Sequence, residues 1–264
     1  MPTTVLEPVL SPARAISTGY GGQCAPALLR DTLCSGCHLS GLCPPSSLAS
    51  TATDGRPGVT FARRKVLAGH DLYAQGDPFD CIYAVRCGVL KSTMKLSAGR
   101  GRICGFHMAG DVFALDGVAD GTHATTTTAL EDSHVCAIAY APLIELAARD
   151  PALQRRLGRL MSEEISRGNR MLLLLGTSSA QQRLAGFLLD LSRRFDALGY
   201  SARDFNLRMA RADIASFLGL TLETVCRTFA LFQHQGLLQV DNRRIRFTDL
   251  EGYSSRFNAL LQDQ

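Results

Sequence analysis

Short runs of alternating apolar and polar residues, separated by turn-forming residues, characterise the chain from Val59 to about Tyr140. Gly, Asp and Pro interrupt these runs at roughly regular intervals, as they do in antiparallel sandwiches and barrels. The pattern therefore predicts a small β-roll. Its predicted strands are Lys65–Leu67, Cys81–Arg86, Gly88–Lys95, Gly101–His107, Thr125–Ala129 and Ser133–Ala139.

The pattern changes to a helical period at Asp150 and Pro151, which supply an N-cap and a first-turn proline. Apolar residues then recur mostly every three or four positions as far as Gly176, so one long helix is predicted. Because this apolar stripe is longer than a small β domain can cover, a parallel dimer seam is favoured over a core-facing helix. The predicted seam contains Leu153, Leu157, Leu160, Met161, Ile165, Gly168, Leu172 and Leu175.

A second helical region follows Thr177, beginning with a predicted helix from Ala180 to Ala197. After it, two helical segments are joined at Gly219, and Thr221 is placed to cap the second of them. This is the pattern of a helix-turn-helix. On the second helix the predicted inward face is Leu222, Val225, Phe229 and Phe232, and the predicted outward face is Glu223, Cys226, Arg227 and Ala230.

A hairpin is predicted next, with Gly236–Val240 and Arg243–Phe247 pairing around a turn at Asp241 and Asn242. Its three arginines suit a wing that lies against phosphates. On the second helix, Glu223 can accept from a cytosine amine and Arg227 can donate to guanine, and their spacing of four puts both on one face. The predicted DNA-contacting residues are Thr221, Glu223, Cys226, Arg227, Arg243 and Arg244.

Three thiols, those of Cys34, Cys37 and Cys43, lie within ten residues near the start of the chain. Thiols so close together indicate a soft metal or a cluster, but three ligands are one short of the usual four. The residues alone leave the fourth ligand open, and His38 is interpreted as a surface residue. The remaining candidates among the thiols of the arm and the roll are Cys24, Cys81, Cys87, Cys104 and Cys136, with Cys81 and Cys104 expected in the sheet core.

The predicted organisation follows from these segments. It comprises a mostly disordered arm (1–30), the cysteine loop and a linker (31–58), a β-roll (59–149), a dimerisation helix (150–176) and a winged helix-turn-helix domain (177–264).

Composition changes this picture only in part. The net charge of +4 and pI near 8.6 permit nucleic-acid binding without arguing for it. The chain shows no secretory signal and no membrane-spanning run, so a cytoplasmic protein is expected. In the reducing cytoplasm, nine cysteines favour metal-binding or redox roles over disulfides. No phosphate-binding glycine loop, nucleophile elbow or paired carboxylates are found, which argues against an enzyme.

From about Asp31 onward the chain resembles the CRP/FNR superfamily of bacterial transcription regulators, and within it the FNR-type oxygen sensors. The resemblance is carried by Cys34-x2-Cys37-x5-Cys43, by Gly105-Phe-His-Met-Ala-Gly-Asp111, by His134-Val-Cys136 and by Leu218-Gly-Leu-Thr-Leu-Glu-Thr224. It implies an α+β fold with an N-terminal β-roll of the cyclic-nucleotide-binding type, a long dimerisation helix and a C-terminal winged helix-turn-helix.

The resemblance also implies an oxygen-labile 4Fe-4S cluster that is converted to a 2Fe-2S form or lost in oxygen. The implied ligands are Cys34, Cys37, Cys43 and Cys136, and the implied consequence of oxidation is that the long helices no longer pair and DNA is released. Zinc is the alternative at the loop, although all-cysteine zinc sites more often use two Cys-x2-Cys pairs. The implied partners are RNA polymerase, a second copy of the chain and double-stranded DNA with inverted half-sites resembling TTGAT.

Two residues depart from the family pattern, and the composition of the roll bears on which ligand it can bind. Cys226 stands where the family has serine in Glu-x-x-Ser-Arg, and Gly168 stands where an acidic residue is common in the dimer helix. Residues 103–148 contain no lysine or arginine that could pair with a phosphate, so no cyclic nucleotide is expected. The alternative function is a regulator of the same fold that senses redox state or a small molecule through thiols, without a cluster.

Overall fold

The computed structural model describes residues 61–95 and 101–255. The predicted arm (1–30) and the cysteine loop with its linker (31–58) lie outside the described residues. The predictions for Cys24, Cys34, Cys37, His38 and Cys43 therefore lie outside them as well.

Two antiparallel four-stranded sheets form the N-terminal part of the described chain. The first has the strand order β1-β8-β3-β6 and the second has the order β2-β7-β4-β5. The strands are β1 (Phe61–Val66), β2 (Asp71–Tyr73), β3 (Cys81–Cys87), β4 (Val89–Lys95), β5 (Gly101–Met108), β6 (Val112–Phe113), β7 (Thr126–Ala129) and β8 (Ser133–Ala139). This is the predicted roll, and alternation along the sequence missed the two shortest strands, β2 and β6.

The roll buries apolar side chains on both faces of its first sheet. Val85 and Val135 belong to one cluster, which also contains Leu90 of the second sheet, whereas Ile82 and Ile138 belong to another on the opposite face. Gly88 makes the tight β3–β4 connection possible, since its φ is +90° and a Cβ there would lie 2.2 Å from the hydroxyl of Ser133.

Two helices follow the roll, α1 (Tyr140–Ala147) and α2 (Pro151–Thr177). The prediction of α2 is confirmed, including its start, because Asp150 Oδ1 accepts hydrogen bonds from the backbone N–H groups of Ala152 at 2.8 Å and Leu153 at 3.3 Å. Helix α1 was not predicted. It packs with the first turns of α2 over the outer face of the first sheet, where Leu143 joins the cluster of Ile82 and Ile138.

The C-terminal part contains α3 (Ala180–Ala197), α4 (Arg211–Leu218), α5 (Leu222–His234) and a three-stranded sheet. The sheet has the order β10-β11-β9, from β9 (Asp204–Asn206), β10 (Leu238–Asp241) and β11 (Arg244–Phe247). The predicted hairpin is thus present, although Asp241 pairs with Arg244, so the turn is made by Asn242 and Arg243 and not by Asp241 and Asn242. The fold is α+β, as predicted.

One apolar cluster crosses from the roll to the C-terminal part. Ile103 and Phe106 of β5 share it with Leu184 of α3, Leu218 of α4 and Phe229 of α5. Within the described ranges, no single helix is long and apolar enough to cross a membrane. Helices α4 and α5 pass that test only as a pair, by length and composition, with a bend of 104° between them.

Candidate nucleic-acid interface and sensor site

Helices α4 and α5 meet at a tight turn built from the residues that the sequence singled out. Gly219 ends α4 with a φ of +63°, a left-handed conformation that favours glycine. Thr221 then caps α5, because its hydroxyl accepts a hydrogen bond from Thr224 N at 3.1 Å. The turn sets the two helices at the angle of a helix-turn-helix and leaves one side of α5 uncovered.

The uncovered side of α5 presents a carboxylate, a thiol and a guanidinium together. Glu223, Cys226 and Arg227 are all exposed, and Glu223 Oε1 lies 3.7 Å from Arg227 Nη1. An exposed pair of this kind contributes little to stability, so both groups are free to exchange partners for base edges. On the opposite side Val225, Phe229 and Phe232 are buried as predicted, but Leu222 is 50% exposed, which corrects its predicted place. The reason is that Leu222 is the first residue of α5, beyond the edge of the core.

Arg211, at the start of α4, is an organising residue that the sequence reasoning missed. Its guanidinium carbon lies 3.6 Å from the centre of the Phe229 ring, and its Nη2 donates to Asn242 O at 3.2 Å. Arg211 thereby links α4, α5 and the turn of the hairpin. The cation stacked on an aromatic face is the kind of contact that only packing reveals.

The arginines of the hairpin have different environments. Arg244 forms two hydrogen bonds with the carboxylate of Asp204, at 2.8 and 2.7 Å, and Arg246 donates to the same carboxylate at 3.1 Å. The hydrogen bond from Arg244 lowers the pKa of Asp204 to about 2. Arg243, in the turn, is exposed. Arg244, predicted to meet phosphates, is thus held by β9 in this structure.

Helix α2 is buried at its start and exposed in its middle. Leu153 and Leu157 are only 7% and 6% exposed, because they pack against the roll of their own chain beside Leu143. They have little surface left for a seam, which corrects that part of the prediction. Every residue from 162 to 170 is exposed, and Ile165 and Leu172 are 66% and 70% exposed. Gly168 lies between Ile165 and Leu172, and a Cβ added to it would have no neighbouring atom within 4 Å. The remaining predicted seam residues, Leu160, Met161 and Leu175, are half-buried.

Cys136 lies on β8, directly opposite Arg63 of β1 and Ala84 of β3. It is buried in the apolar cluster on the outer face of the first sheet, which also contains Leu153 and Leu157. The thiol that the resemblance implies as a ligand therefore shares a cluster with the base of α2. No group of three or more metal-binding side chains occurs within residues 61–95 and 101–255, where Cys136 is the only member of the implied ligand set.

The other cysteines of the roll differ in exposure. Cys104 is exposed, which corrects its expected place in the sheet core, because it alternates with the buried Ile103 along β5. Cys81 and Cys87 are half-buried, and burial raises the pKa of the Cys81 thiol.

The interior of the roll holds a cluster of hydrogen-bonded polar side chains. Ser92 Oγ lies 2.7 Å from His107 Nε2 and 2.6 Å from Thr127 Oγ1. Beside them Tyr73 stacks on His123 with ring centres 3.7 Å apart. Burial lowers the pKa of His107 to about 3, so this ring is neutral near pH 7.

Polar contacts also join the roll to the helices that follow it. Asp111, after β5, accepts a hydrogen bond from Arg194 of α3 and lies 3.9 Å from Arg167 of α2. Lys91 of β4 donates to Asp213 of α4 at 2.7 Å. The helix-turn-helix is therefore docked on the β4–β5 hairpin through partly buried charges as well as through the shared apolar cluster.

Comparisons with known proteins agree with this architecture. Residues 63–150 match the cyclic nucleotide-binding domain family, and residues 182–252 match the Crp-like helix-turn-helix domain family. The chain is 42% identical to the transcriptional regulatory protein btr of Bordetella pertussis, over 83% of this chain and 90% of that protein. It is 40% identical to the transcriptional activator protein FnrA of Stutzerimonas stutzeri, over 84% and 91%. It is 39% identical to the fumarate and nitrate reduction regulatory protein of Escherichia coli, over 80% and 85%.

Among solved structures, the chain is similar to FixK2 from Bradyrhizobium japonicum. The TM-score is 0.68 at 31% identity, and the match covers 76% of this chain and 97% of FixK2.

Proposed function

We propose that this chain, which belongs to the CRP/FNR superfamily of transcription regulators and is of the FNR type, controls its pairing and DNA binding through an oxygen-responsive 4Fe-4S cluster. The chain is a dimeric, DNA-binding transcription regulator and not an enzyme. One observation supports the proposed control of pairing by the iron-sulfur cluster. Cys136 packs in the same buried cluster as Leu153 and Leu157, at the base of the helix that offers an exposed apolar stripe.

Cys34, Cys37, Cys43 and Cys136 are the residues proposed to hold the cluster. Four thiolates are the donor set that such clusters use, so the chemistry of these residues fits the group. When bound, the cluster supplies iron and sulfide that react with oxygen. Ligation at Cys136 can be transmitted to the rest of the fold. The neighbours of Cys136 are closely packed, so a displacement of its side chain would also displace them.

Helix α2 is the proposed output of the sensor. Its buried start is held by the roll, and its exposed part carries apolar residues at steps of four and three, the spacing of a parallel helical pair. The apolar side chains packed around Cys136 therefore link its ligation to the angle at which α2 leaves the roll. That angle would decide whether the exposed stripes of two chains can pair. The proposed seam residues are Met161, Ile165, Gly168, Leu172 and Leu175, with Leu160 at its edge.

Helix α5 is the proposed reader of the half-site. Glu223 and Arg227 are placed to pair with a cytosine amine and a guanine edge, with Cys226 between them and Thr221 at the capped end. A two-fold dimer would present two such helices to an inverted repeat resembling TTGAT. Arg243 of the hairpin turn is exposed toward solvent and is the proposed phosphate contact there, and RNA polymerase is the proposed protein partner.

Anaerobic purification of the full chain tests the sensor. A brown protein with about four iron and four sulfide per chain, which bleaches in air, is the expected result. Cys136→Ala should abolish the iron content, whereas Cys104→Ala, at an exposed thiol of the same roll, should leave it unchanged. A colourless protein without iron would overturn the proposal.

The alternative function, a thiol-based regulator without a cluster, draws on the exposed thiols of Cys104 and Cys226. In that case DNA binding would respond to oxidants in the iron-free chain, and Cys104→Ala or Cys226→Ala would remove the response. The same anaerobic preparation, compared with and without iron, separates the two functions.

A further inference from the structure

The hairpin formed by β4 and β5, residues 89–108, is strongly basic. It contains Lys91, Lys95, Arg100 and Arg102 and no acidic residue. Lys91 is already paired with Asp213, and Arg100 lies outside the described residues. Arg102 is exposed, and among residues 61–95 and 101–255 no carboxylate lies within ion-pair distance of it. Within the described part of the chain its charge is therefore not neutralised by a carboxylate.

Arg102 lies against the turn of the helix-turn-helix. Its Nη2 is 2.8 Å, and its Cζ 3.6 Å, from the position that a Cβ on Gly219 would occupy. The absence of a side chain at Gly219 thus leaves the room in which the guanidinium sits. A residue of the roll thereby brings a positive charge to the connection between α4 and α5.

The position of Arg102 is set by its neighbours and not by its own flexible side chain alone. The adjacent Ile103 donates its backbone N–H to Ser216 Oγ of α4 at 3.1 Å. Further along β5, Phe106 lies 5.1 Å from Phe217, ring centre to ring centre. Because Ile103 and Phe106 also belong to the core shared with the C-terminal helices, β5 cannot move without disturbing that core.

The geometry of a helix-turn-helix places this turn beside DNA. The first helix crosses the phosphate backbone, and the N-terminal end of the second enters the major groove. Gly219 is two residues before Thr221, the cap of α5, which corresponds to roughly 8 Å at most between their Cα atoms. Arg102 shares the space beside Gly219 with Leu175 of α2, whose Cδ2 is 3.6 Å from the same position. In a complex of this kind, a cation at this turn would lie close to the phosphate backbone at the edge of the half-site, and a phosphate contact needs no particular base.

We propose that Arg102 is a DNA-phosphate contact, so that the β4–β5 hairpin of the sensor roll extends the DNA-binding surface of the helix-turn-helix. The contact rests on DNA binding by α4 and α5 and does not depend on the cluster or on the half-site proposed above. Each dimer would gain two such contacts, one for each half-site.

The test is the salt dependence of DNA affinity, measured by fluorescence anisotropy on the anaerobically purified full chain. Two duplexes of equal length are used, one with an inverted TTGAT repeat and one of random sequence. Each phosphate contact adds about 0.9 to the slope of log K against log salt, so Arg102→Ala should flatten the slope by about 1.8 per dimer on both duplexes. At 0.1 M salt, losing both contacts of the dimer should lower the affinity roughly 60-fold, or about 8-fold for each contact.

Arg86→Ala is the matched control, because Arg86 is exposed on β3 of the other sheet, and it should leave the slope unchanged. Arg102→Lys keeps the positive charge but changes the shape of the side chain. It should keep most of the salt slope, because the slope depends on the charge. An unchanged slope in Arg102→Ala would overturn the proposal, whether or not the variant unfolds more easily. A loss of transcription with an unchanged slope would also overturn it and would assign the hairpin to RNA polymerase.

Discussion

Lys91 of the β-roll donates a hydrogen bond to Asp213 of the helix-turn-helix at 2.7 Å, across 122 positions of the sequence. Both side chains are largely covered, and Asp213 also accepts from Ala210 N at 3.2 Å, at the start of α4. The pair therefore fixes the DNA-reading helices to the hairpin that also carries Arg102.

Removing this pair should loosen the docking of the two parts. Lys91→Met leaves the Asp213 carboxylate partly buried without its cation, and we expect the free energy of unfolding to fall by about 1–2 kcal/mol. Urea denaturation measures it. Lys65→Met is the control, because Lys65 pairs with Asp132 within the roll at an exposed site, and it should cost less than about 0.5 kcal/mol. Equal losses in the two variants would contradict a special role for Lys91.

The two ends of α2 should respond differently to the same substitution. Leu157→Ala removes a buried side chain from the core of the chain, so unfolding should be easier by about 2–5 kcal/mol. Leu172→Ala removes an exposed one, so the chain should keep its intrinsic stability but dimerise more weakly. Sedimentation equilibrium together with thermal unfolding at several concentrations distinguishes the two effects. If Leu172→Ala leaves dimerisation unchanged, the seam lies elsewhere.

Acid should destabilise the fold through His107. Burial, with smaller contributions from Arg194 and Arg167, lowers the pKa of His107 to about 3, below the value near 6.5 expected in the unfolded chain. As the pH falls, the unfolded chain therefore binds a proton at His107 before the folded chain does. The stability that His107 contributes is full above pH 6.5 and is lost as the pH falls toward 3, by up to about 1.4 kcal/mol per pH unit.

Denaturant unfolding of the wild-type chain and of His107→Gln, at several pH values between 7 and 4, measures this contribution. The difference between the two chains should narrow as the pH falls. A pH profile that His107→Gln does not alter would show that acid acts through other groups.

The thiol at position 226 should alter how the half-site is read. A hydroxyl is a stronger hydrogen-bond partner than a thiol, so Cys226→Ser should sharpen the preference at one base by about 1 kcal/mol, or about fivefold. Glu223→Ala should instead relax the preference at its own base, by about 1–3 kcal/mol. Titration of duplexes that are varied one position at a time measures both. The same base profile for wild type and Cys226→Ser would place Cys226 outside base contact.

Much of the fold could be predicted from local patterns. The alternation that predicted most strands of the roll and the helical period of α2 are properties of neighbouring residues. The caps supplied by Asp150 and Thr221 act over three residues, so they too can be recognised directly. The family resemblance then added a function that spacing alone could not, since three close thiols indicate only a soft metal.

The rest required the tertiary structure, because it depends on which distant surfaces meet. Leu157 and Leu172 are equivalent in an apolar stripe, and only packing against the roll buries the first and leaves the second exposed. Arg244 could be predicted as a wing residue, but its partner Asp204 is 40 positions away. Arg102 has no signal in the sequence beyond its charge, and its place beside Gly219 follows from the shared core that fixes β5 on α4.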